Sequence, residues 1–348
     1  MVTRDYEARA LVDITFSDLT TMRVGGPIGQ LHTPETTSHA IELLREAGDV
    51  KDPLLVMGGG SNLVVGDEGW PGTVIKMATS ELTIDGERVT AAAGVEWDHL
   101  VETTISHGLA GIEALSGVPG LVGGTPVQNV GAFGTLTSDV LESLSVYDRE
   151  TNSVERWLPD RCGFGSHRQS VFKHNDRWVV LEVTLRLRRG DQSKPIEYAD
   201  VADALGIGTG GTAAPADVRE AVLAIRRKRG MVLDVDDHDT WSVGSFFINP
   251  VLAEVPERAS ECPQFFDIKG TKLSAGWLIH RSGFPPGYGG DWGNGKVTLS
   301  SRHALAITNR GGATTTDIME FAAHIREGVE ERFGIRLGPE CDLVNCSF

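Results

Sequence analysis

Cysteine is scarce in this chain of 348 residues, and its spacing excludes the common cysteine-based sites. The four cysteines are Cys162, Cys262, Cys341 and Cys346, and no two of them form a C-x-x-C pair. This spacing encodes neither a zinc site nor a dithiol redox motif. We therefore expect four free, reduced thiols and no metal.

The sequence also lacks a long apolar run. No run approaches the ~20 residues that are needed to span a bilayer, and the polar start of the chain, 1–7, has no apolar region typical of a secretory signal. We expect a soluble protein in the cytoplasm. With 40% hydrophobic and 23% charged residues, the chain is ordinary for a globular protein but too long for one compact core, so about two or three domains are expected.

Basic residues are in deficit. The chain has 32 lysines and arginines and 48 aspartates and glutamates, which gives a formal net charge of −16. Nucleic acid and anionic membranes would be repelled, so neither is expected as a partner. The densest basic patch is Arg226-Arg227-Lys228-Arg229. It could bind an anionic substrate, or it could be a solvated helix end where positive charge complements the helix dipole.

Short apolar runs bounded by turn residues predict buried strands at 54–57, 74–77 and 89–93. The clearest strand is 179–187, where apolar and polar residues alternate. Its apolar residues are expected to share one face: Val179, Leu181, Val183, Leu185 and Leu187.

Three apolar stripes at helical spacing predict helices. The first stripe covers 97–105 and is followed by Gly108, a residue typical of the position after a helix end. The second consists of Val218, Val222 and Ile225. The third consists of Ile318, Ala322, Ile325 and Val329 and would be capped by Thr316 or Asp317. The glycine-rich stretch 206–215 indicates a flexible linker near the main domain boundary.

A first glycine cluster, Gly58-Gly59-Gly60-Ser61-Asn62, follows a predicted strand and could let backbone amides approach a pyrophosphate. It is not a Rossmann fingerprint, because Leu63 stands where that pattern needs glycine. The segment 290–296 spells most of a phosphate-binding P-loop, but Val297 replaces the serine or threonine that would bind magnesium. We reject that motif.

A second glycine-rich segment covers 116–134. Glycines and prolines at this density exclude regular helix or strand, so the backbone would present amides and small side chains to a partner. The alternative is a structural loop over the core. Two such loops joined by short strands favour one extended ligand with phosphates and a flat ring.

Together with Thr21-Met22-Arg23-Val24-Gly25-Gly26-Pro27, these two glycine segments resemble the FAD-binding half of the UDP-N-acetylenolpyruvoylglucosamine reductase (MurB) family. The resemblance extends from about Thr20 to Cys346. It implies an α+β architecture: a two-part FAD-binding fold of the vanillyl-alcohol-oxidase (PCMH) type, followed by a C-terminal α+β substrate-binding domain. We expect FAD-binding subdomains at 1–72 and 73–217 and a substrate-binding domain at 218–337, with 338–348 returning near the first subdomain.

The resemblance also implies which residues hold FAD. Gly58 to Asn62 and the Gly123-Gly124-Thr125 turn would cradle the pyrophosphate, and a cradle of backbone amides needs no metal. Further residues would lie along the cofactor: Gln128, Asn129, Gly131, Ala132 and Arg226.

Three polar residues stand in the order that the family shows: Arg168, Ser245 and Glu340. The implied reaction reduces an enolpyruvyl ether on a UDP-sugar, a step of peptidoglycan precursor synthesis. Hydride from the flavin N5 would reach the terminal vinyl carbon, leaving negative charge delocalised into the carboxylate. Arg168 would bind that carboxylate, Glu340 would hydrogen bond to the developing enolate, and Ser245 would donate the proton. Each could instead be an ordinary ion-pair, cap or turn residue.

Five residues would contact the UDP-sugar. Tyr198 resembles the tyrosine that closes over the diphosphate in one subclass, although it could also be packed at a domain edge. Arg229 replaces the usual lysine, and His303 replaces glutamine. Asn249 matches a nucleotide-sugar contact, and Lys272 could either bind substrate or be solvated.

By the same resemblance, NADPH would reduce FAD and leave before the UDP-sugar enters the same cleft, and we expect a monomer. Two alternatives are a different flavoenzyme of the same fold, such as an oxidase of hydroxy acids or sugars, and a catalytically silent flavin- or nucleotide-binding protein. A covalent flavin anchor in 116–134 would favour the oxidase, but that segment contains neither histidine nor cysteine.

Overall fold

The structure is a computed structural model that describes residues 14–49, 53–165, 169–173 and 175–348. Within them the chain forms seven α-helices and nineteen β-strands. The helices are α1 (Phe16–Leu19), α2 (Thr37–Asp49), α3 (Trp97–Ser106), α4 (Ala199–Ala204), α5 (Pro215–Lys228), α6 (Ala275–Arg281) and α7 (Thr315–Phe333).

The strands belong to several small sheets. The first ten are β1 (Ile28–His32), β2 (Leu54–Met57), β3 (Leu63–Val65), β4 (Trp70–Lys76), β5 (Leu82–Asp85), β6 (Arg88–Ala92), β7 (Leu109–Ala110), β8 (Gly131–Ala132), β9 (Thr135–Leu136) and β10 (Leu141–Asp148). The others are β11 (Ser153–Trp157), β12 (Trp178–Arg186), β13 (Arg188–Arg189), β14 (Val251–Leu252), β15 (Gln264–Asp267), β16 (Gly270–Leu273), β17 (Val297–Leu299), β18 (Ile307–Asn309) and β19 (Asp342–Val344).

The N-terminal part is a three-stranded parallel sheet with the order β1-β4-β2. It confirms the strands predicted at 54–57 and 74–77. Ala40 and Leu44 of α2 pack with Ile75 of β4 in one buried cluster, because the helix turns its apolar face towards the sheet. The first glycine cluster follows β2 directly, so the sheet fixes where that loop begins.

The second sheet is antiparallel, with the order β11-β10-β12-β6-β5. It includes the strands predicted at 89–93 and 179–187, but the expectation of a single apolar face on β12 is wrong. Ser145 pairs with Glu182 and Val146 pairs with Val180, which leaves Leu181 as a β-bulge. The extra residue reverses the alternation: Val179 and Leu181 belong to the core with α2, and Val180, Val183, Leu185 and Leu187 belong to the core with α3.

Helix α3 ends as predicted. Gly108 follows its last turn with φ +70, in the left-handed region that glycine adopts without strain. The indole nitrogen of Trp97, at the start of the helix, donates a hydrogen bond to the carbonyl of Leu115 at 3.1 Å. This contact fixes the helix against the beginning of the second glycine segment.

That second segment contains only a short 3-10 turn at Val122–Gly124 and the two-residue strand β8. The absence of longer regular structure agrees with its glycine and proline content.

Helices α4 and α5 pack on each other around Val201, Val218 and Val222. The connection between them, predicted as a flexible linker, is held by backbone hydrogen bonds: Ile196 donates to Gly211 at 2.9 Å and Gly210 donates to Ile196 at 2.8 Å. Gly206 and Gly210 adopt positive φ in its turns, at +67 and +86. The flexibility of this connection stays a prediction.

The C-terminal part contains α6, α7 and the sheets β14-β16-β15 and β17-β18. The predicted stripe on α7 is buried, but the predicted cap is wrong. Thr314 is the N-cap, and Asp317 is the third helical residue of a capping box. Strand β19 then pairs in parallel with β3, beside the first glycine cluster.

The combination of helices with separate parallel and antiparallel sheets confirms the predicted α+β class. The predicted free thiols are also confirmed for all four cysteines. In the described part of the chain, every helix is too short or too polar to cross a membrane.

Candidate functional site

A cavity of about 510 Å³ lies where the two glycine loops, the end of α5 and the C-terminal part of the chain meet. Its wall contains most of the site residues predicted from sequence: Gly58, Gly59, Gly60, Ser61, Asn62, Gly124, Thr125, Gln128, Gly131, Ala132, Tyr198, Arg226, Arg229, Ser245 and Glu340. Residues distant in sequence therefore share one chamber.

The first glycine loop is shaped by its glycines. Gly60 has φ +63, and a Cβ there would lie 2.2 Å from the carbonyl oxygen of Leu19, so a larger residue is excluded. Ser61 donates from its hydroxyl to the carbonyl of Pro119 at 3.3 Å and so links the two glycine loops. The side-chain amide nitrogen (Nδ2) of Asn62 is a buried donor, and it has no acceptor among the described residues. Asn62 itself lines the cavity. A ligand with oxygen acceptors would satisfy it.

The neighbouring glycines of the second loop differ in their surroundings. A Cβ added to Gly124 would meet no atom within 4 Å, because this residue faces the open cavity. A Cβ on Gly123 would lie 2.6 Å from the Cβ of Ala93, so Gly123 allows close packing behind the wall. Asn129 also lies outside the wall. It is fully buried, and its side-chain oxygen accepts from the amide of Ser138 at 3.0 Å.

Arg226 is a buried cation at this wall. Its guanidinium donates to the carbonyls of Gly117 at 3.1 Å and Met231 at 3.0 Å. Burial lowers the pKa of Arg226 to about 10, which still leaves it charged at neutral pH. The Gly117 amide in turn donates to Asp98 at 2.6 Å, and Arg219 holds that carboxylate with two hydrogen bonds.

The four residues of the basic patch therefore divide into two pairs. Arg227 and Lys228 are exposed and fit the solvated helix end. Arg226 and Arg229 line the cavity. The solvated helix end fits Arg227 and Lys228, and the binding of an anionic ligand by Arg226 and Arg229 stays a prediction.

Ser245 and Glu340 are placed together by a short antiparallel pairing. Glu340 donates its amide to the carbonyl of Phe246 at 2.8 Å, and Phe247 forms a bridge with Pro339. Both phenylalanines are fully buried and anchor this pairing in the C-terminal core. Gly244 precedes Ser245 with φ +75, a turn that glycine allows. The half-buried serine and the buried carboxyl residue thus lie on adjacent backbone segments.

Lys173 supports this arrangement from another part of the chain. Its ammonium group donates to the backbone carbonyl of Glu340 at 3.0 Å. Arg168, the third predicted catalytic residue, lies outside the described residues, so its predicted position is not described.

Tyr198 and Arg229 stand at the cavity rim. The Tyr198 ring packs edge-on against Phe133, with centroids 5.8 Å apart, and remains 48% exposed. Arg229 donates to the carboxylate of Asp200 at 2.6 Å. Tyr198 directly precedes α4 and Arg229 directly follows α5, so the packing of these two helices sets the rim.

Three predicted substrate residues do not line this cavity. Asn249 accepts the amide of Ala275 at 2.9 Å, which holds the start of α6. Lys272 is half-buried on β16, where it pairs with Val251 and Phe265. His303 is half-buried and donates its amide to Ser300 at 3.1 Å. Their predicted contacts with substrate remain predictions.

Several wall residues were missed from sequence. Thr240 and Ser242 lie just before Ser245, and Asp342 lies two residues after Glu340. Their proximity to two predicted residues was an available signal. Asp98, which fixes the Gly117 amide, gave no such signal because the contact spans 19 positions and depends on the fold.

The arrangement fits FAD. At Gly124 a ligand can approach the backbone closely, because no side chain stands in between. The side-chain amide of Asn62 is an unused hydrogen-bond donor. Arg226 supplies a buried positive charge. Together they match a phosphate-bearing ligand held without metal. We found no cluster of metal-ligating side chains in the ranges that the structure describes.

Comparisons with known proteins agree with this fit. A family model described as the C-terminal domain of UDP-N-acetylenolpyruvoylglucosamine reductase matches 236–344, and one described as an FAD binding domain matches 29–155. The reductase of Mycobacterium ulcerans (strain Agy99) is 45% identical over 355 residues, covering 98% of this chain and 96% of its own. That of Thermobifida fusca (strain YX) is 45% identical over 350 residues, with 95% and 97% covered.

A solved structure shows the same relationship. The crystal structure of the reductase (MurB) from Thermus caldophilus has a TM-score of 0.66 and 25% sequence identity, with 95% of this chain and 97% of that chain covered. Given the full-length similarity to these proteins, the chain belongs to the UDP-N-acetylenolpyruvoylglucosamine reductase family.

Proposed function

We infer that the protein is a flavin-dependent reductase that uses NADPH and FAD to convert UDP-N-acetylglucosamine enolpyruvate to UDP-N-acetylmuramate in peptidoglycan precursor synthesis. The observation that carries this inference is the shared cavity. Ser245 and Glu340 line the same chamber as the glycine loops that fit FAD. The residues proposed for the substrate chemistry and those proposed to hold the cofactor therefore share one cavity.

The substrate sets what the protein must supply. Its vinyl group accepts a hydride at the terminal carbon and a proton at the carbon next to the carboxylate. Held by the glycine loops, FAD would supply the hydride, with NADPH as the source of its electrons. The chain has to orient the vinyl group, stabilise the negative charge that develops beside the carboxylate, and deliver the proton.

We assign the proton to Ser245. Ser245 lines the cavity, next to the backbone pairing that holds Glu340. A serine hydroxyl is a weak acid, so proton transfer needs developing negative charge nearby. Glu340 is buried at 6% exposure and would hydrogen bond to the developing enolate if it is protonated. Arg168 would neutralise the substrate carboxylate.

Positive charge at the rim suits the diphosphate of the UDP-sugar. Arg229 lines the cavity, although its guanidinium also contacts Asp200, so a substrate phosphate would share or replace that partner. We propose that Tyr198 closes over this diphosphate; its ring is 48% exposed and packs against Phe133 at the rim. We also propose that the substrate contacts three residues that do not line the cavity: Asn249, Lys272 and His303.

The proposal also includes the order of binding, the location and the assembly. One cavity serves both substrates, so NADPH would leave before the UDP-sugar enters. We propose a cytoplasmic monomer in which two FAD-binding subdomains (1–72 and 73–217) meet a substrate-binding domain (218–337), with 338–348 returning to the first.

An anaerobic spectral titration tests this function. The purified protein should be yellow, lose its flavin absorbance with NADPH, and regain it when the enolpyruvyl UDP-sugar is added. Recovery with oxygen alone at a comparable speed would instead favour an oxidase. A protein that binds flavin but is not reduced by NADPH would be a silent binding protein.

A further inference from the structure

Asp239 is a buried carboxylate that precedes Thr240 of the cavity wall and is not itself part of that wall. It is 6% exposed and accepts hydrogen bonds from the hydroxyl of Ser300 at 3.0 Å, the amide and hydroxyl of Ser301 at 3.1 and 3.0 Å, Arg302 at 2.9 Å and Arg310 at 3.1 Å. Burial opposes its ionisation, but these hydrogen bonds outweigh burial and lower the pKa of Asp239. The carboxylate is therefore charged and fully engaged at neutral pH.

The segment that follows Asp239 carries Ser245 along the cavity. The carbonyl of Trp241 accepts the amide of Asn309 at 3.0 Å, and the amide of Phe246 donates to the carbonyl of Leu305 at 2.8 Å. Both partners lie in the stretch 300–309, which contains β18 and the turn before it. The segment 239–246, which contains Ser245, is thus hydrogen bonded to this stretch at three residues: Asp239, Trp241 and Phe246.

Ser300 transmits the position of Asp239 to the turn. It is fully buried, and its hydroxyl donates to Asp239 while accepting the amides of Arg302 and His303, both at 3.1 Å. Its own amide donates to the carbonyl of Ala306 at 2.8 Å and closes the turn. This turn also positions the carbonyl of Leu305, which accepts a hydrogen bond from the amide of Phe246. The Ser300 hydroxyl therefore connects the carboxylate to two backbone amides of the turn, beside the direct bonds that Ser301 and Arg302 make to Asp239.

Ser301 provides a contrast. Its hydroxyl donates to the same oxygen of Asp239 at the same distance, 3.0 Å, but the residue is exposed. Within the described structure its hydroxyl accepts no backbone amide, so that hydroxyl does not connect Asp239 to the rest of the turn. The Ser301 amide, which also donates to Asp239, is kept in Ser301→Ala.

We propose that Asp239, acting through Ser300, is a positioning residue that sets the placement of Ser245 against the cavity. The inference rests on the proposed function, because it concerns the proton that Ser245 gives to the substrate. Asp239 itself does not line the cavity proposed to hold FAD and the substrate. It fixes the geometry of two segments that have to meet the substrate together, and small displacements of reacting groups have large effects on rate.

The test compares Ser300→Ala with Ser301→Ala in the FAD-loaded protein by anaerobic stopped-flow. Ser300→Ala leaves two amides without an acceptor and loosens the turn. It should slow flavin reoxidation by the enolpyruvyl UDP-sugar by about 10- to 100-fold, while flavin reduction by NADPH changes by less than about twofold. Ser301→Ala should leave both half-reactions unchanged. Asp239→Asn, which keeps the shape but loses the charge, should resemble Ser300→Ala.

The outcomes separate positioning from general stability. If Ser300→Ala lowers the melting temperature but slows both half-reactions equally, or leaves both unchanged, the proposal is overturned. The same holds if the two serine variants behave alike. If Asp239→Asn fails to fold, the comparison of Ser300→Ala with Ser301→Ala still tests the proposal. Wild-type protein that the UDP-sugar does not reoxidise would refute the proposed function instead.

Discussion

Gly123 and Gly124 are neighbours in the second glycine loop, and an added methyl group should have opposite consequences at the two positions. A Cβ on Gly124 meets nothing within 4 Å and projects into the cavity. A Cβ on Gly123 would lie 2.6 Å from the Cβ and 3.0 Å from the Cα of Ala93. Neither glycine has a positive φ, so alanine can adopt the backbone conformation at both.

These surroundings give the expected magnitudes. Gly124→Ala should leave the FAD-free protein as stable as the wild type, or more stable by about 0.4–1 kcal/mol, because alanine reduces the freedom of the unfolded chain. Its methyl group takes space where FAD has to approach the backbone, so the dissociation constant for FAD should rise at least tenfold, or about 1.4 kcal/mol. Gly123→Ala should cost about 1–3 kcal/mol of stability through overpacking.

Two measurements on each variant decide the matter: the melting temperature of the FAD-free protein by circular dichroism, and FAD affinity by quenching of flavin fluorescence. Each variant is the control for the other. A folded Gly124→Ala protein that binds FAD as tightly as the wild type would refute the assignment of this loop as the cofactor cradle.

Three further predictions concern individual carboxylate and thiol groups. Asp98→Ala should weaken FAD binding about tenfold in the same titration, because the Gly117 amide loses a charge-assisted hydrogen bond of ~1.5–3 kcal/mol. Burial raises the pKa of Cys341 to about 12 and of Cys162 to about 11, so iodoacetamide at pH 8 should modify both only after denaturation, as read by mass spectrometry. Hydrogen bonds, against the effect of burial, lower the pKa of Asp67 and Asp98. Their stabilisation is complete above the unfolded pKa of about 3.9 and is lost as the pH falls through the native values, so the melting temperature should drop below pH 4.

Local features were predictable where the chain's own pattern decides the structure. The strands at 54–57 and 89–93 and the helix ended by Gly108 depend on nearby turn residues and short-range periodicity. The site was approached through resemblance, and most of the predicted residues do line one cavity. The function of the family followed from the same motifs.

Other features depend on contacts that no local pattern contains. The β-bulge at Leu181 arises from pairing with β10, so alternation alone gave the wrong face. The cap of α7 was misplaced because Thr314, Thr316 and Asp317 all suit a helix start, and only the geometry selects among them. The network around Asp239 joins residues about 60 to 70 positions apart, which requires the fold to be known.

The central claim is that Ser245 serves the substrate side of a flavin cavity. Stopped-flow measurement of both half-reactions in Ser245→Ala tests it most directly. The account predicts that NADPH reduces the bound flavin within about twofold of the wild-type rate, while reoxidation by the enolpyruvyl UDP-sugar slows by at least about 100-fold, typical of a lost proton donor. An equal loss in both half-reactions, or none in the second, would contradict it.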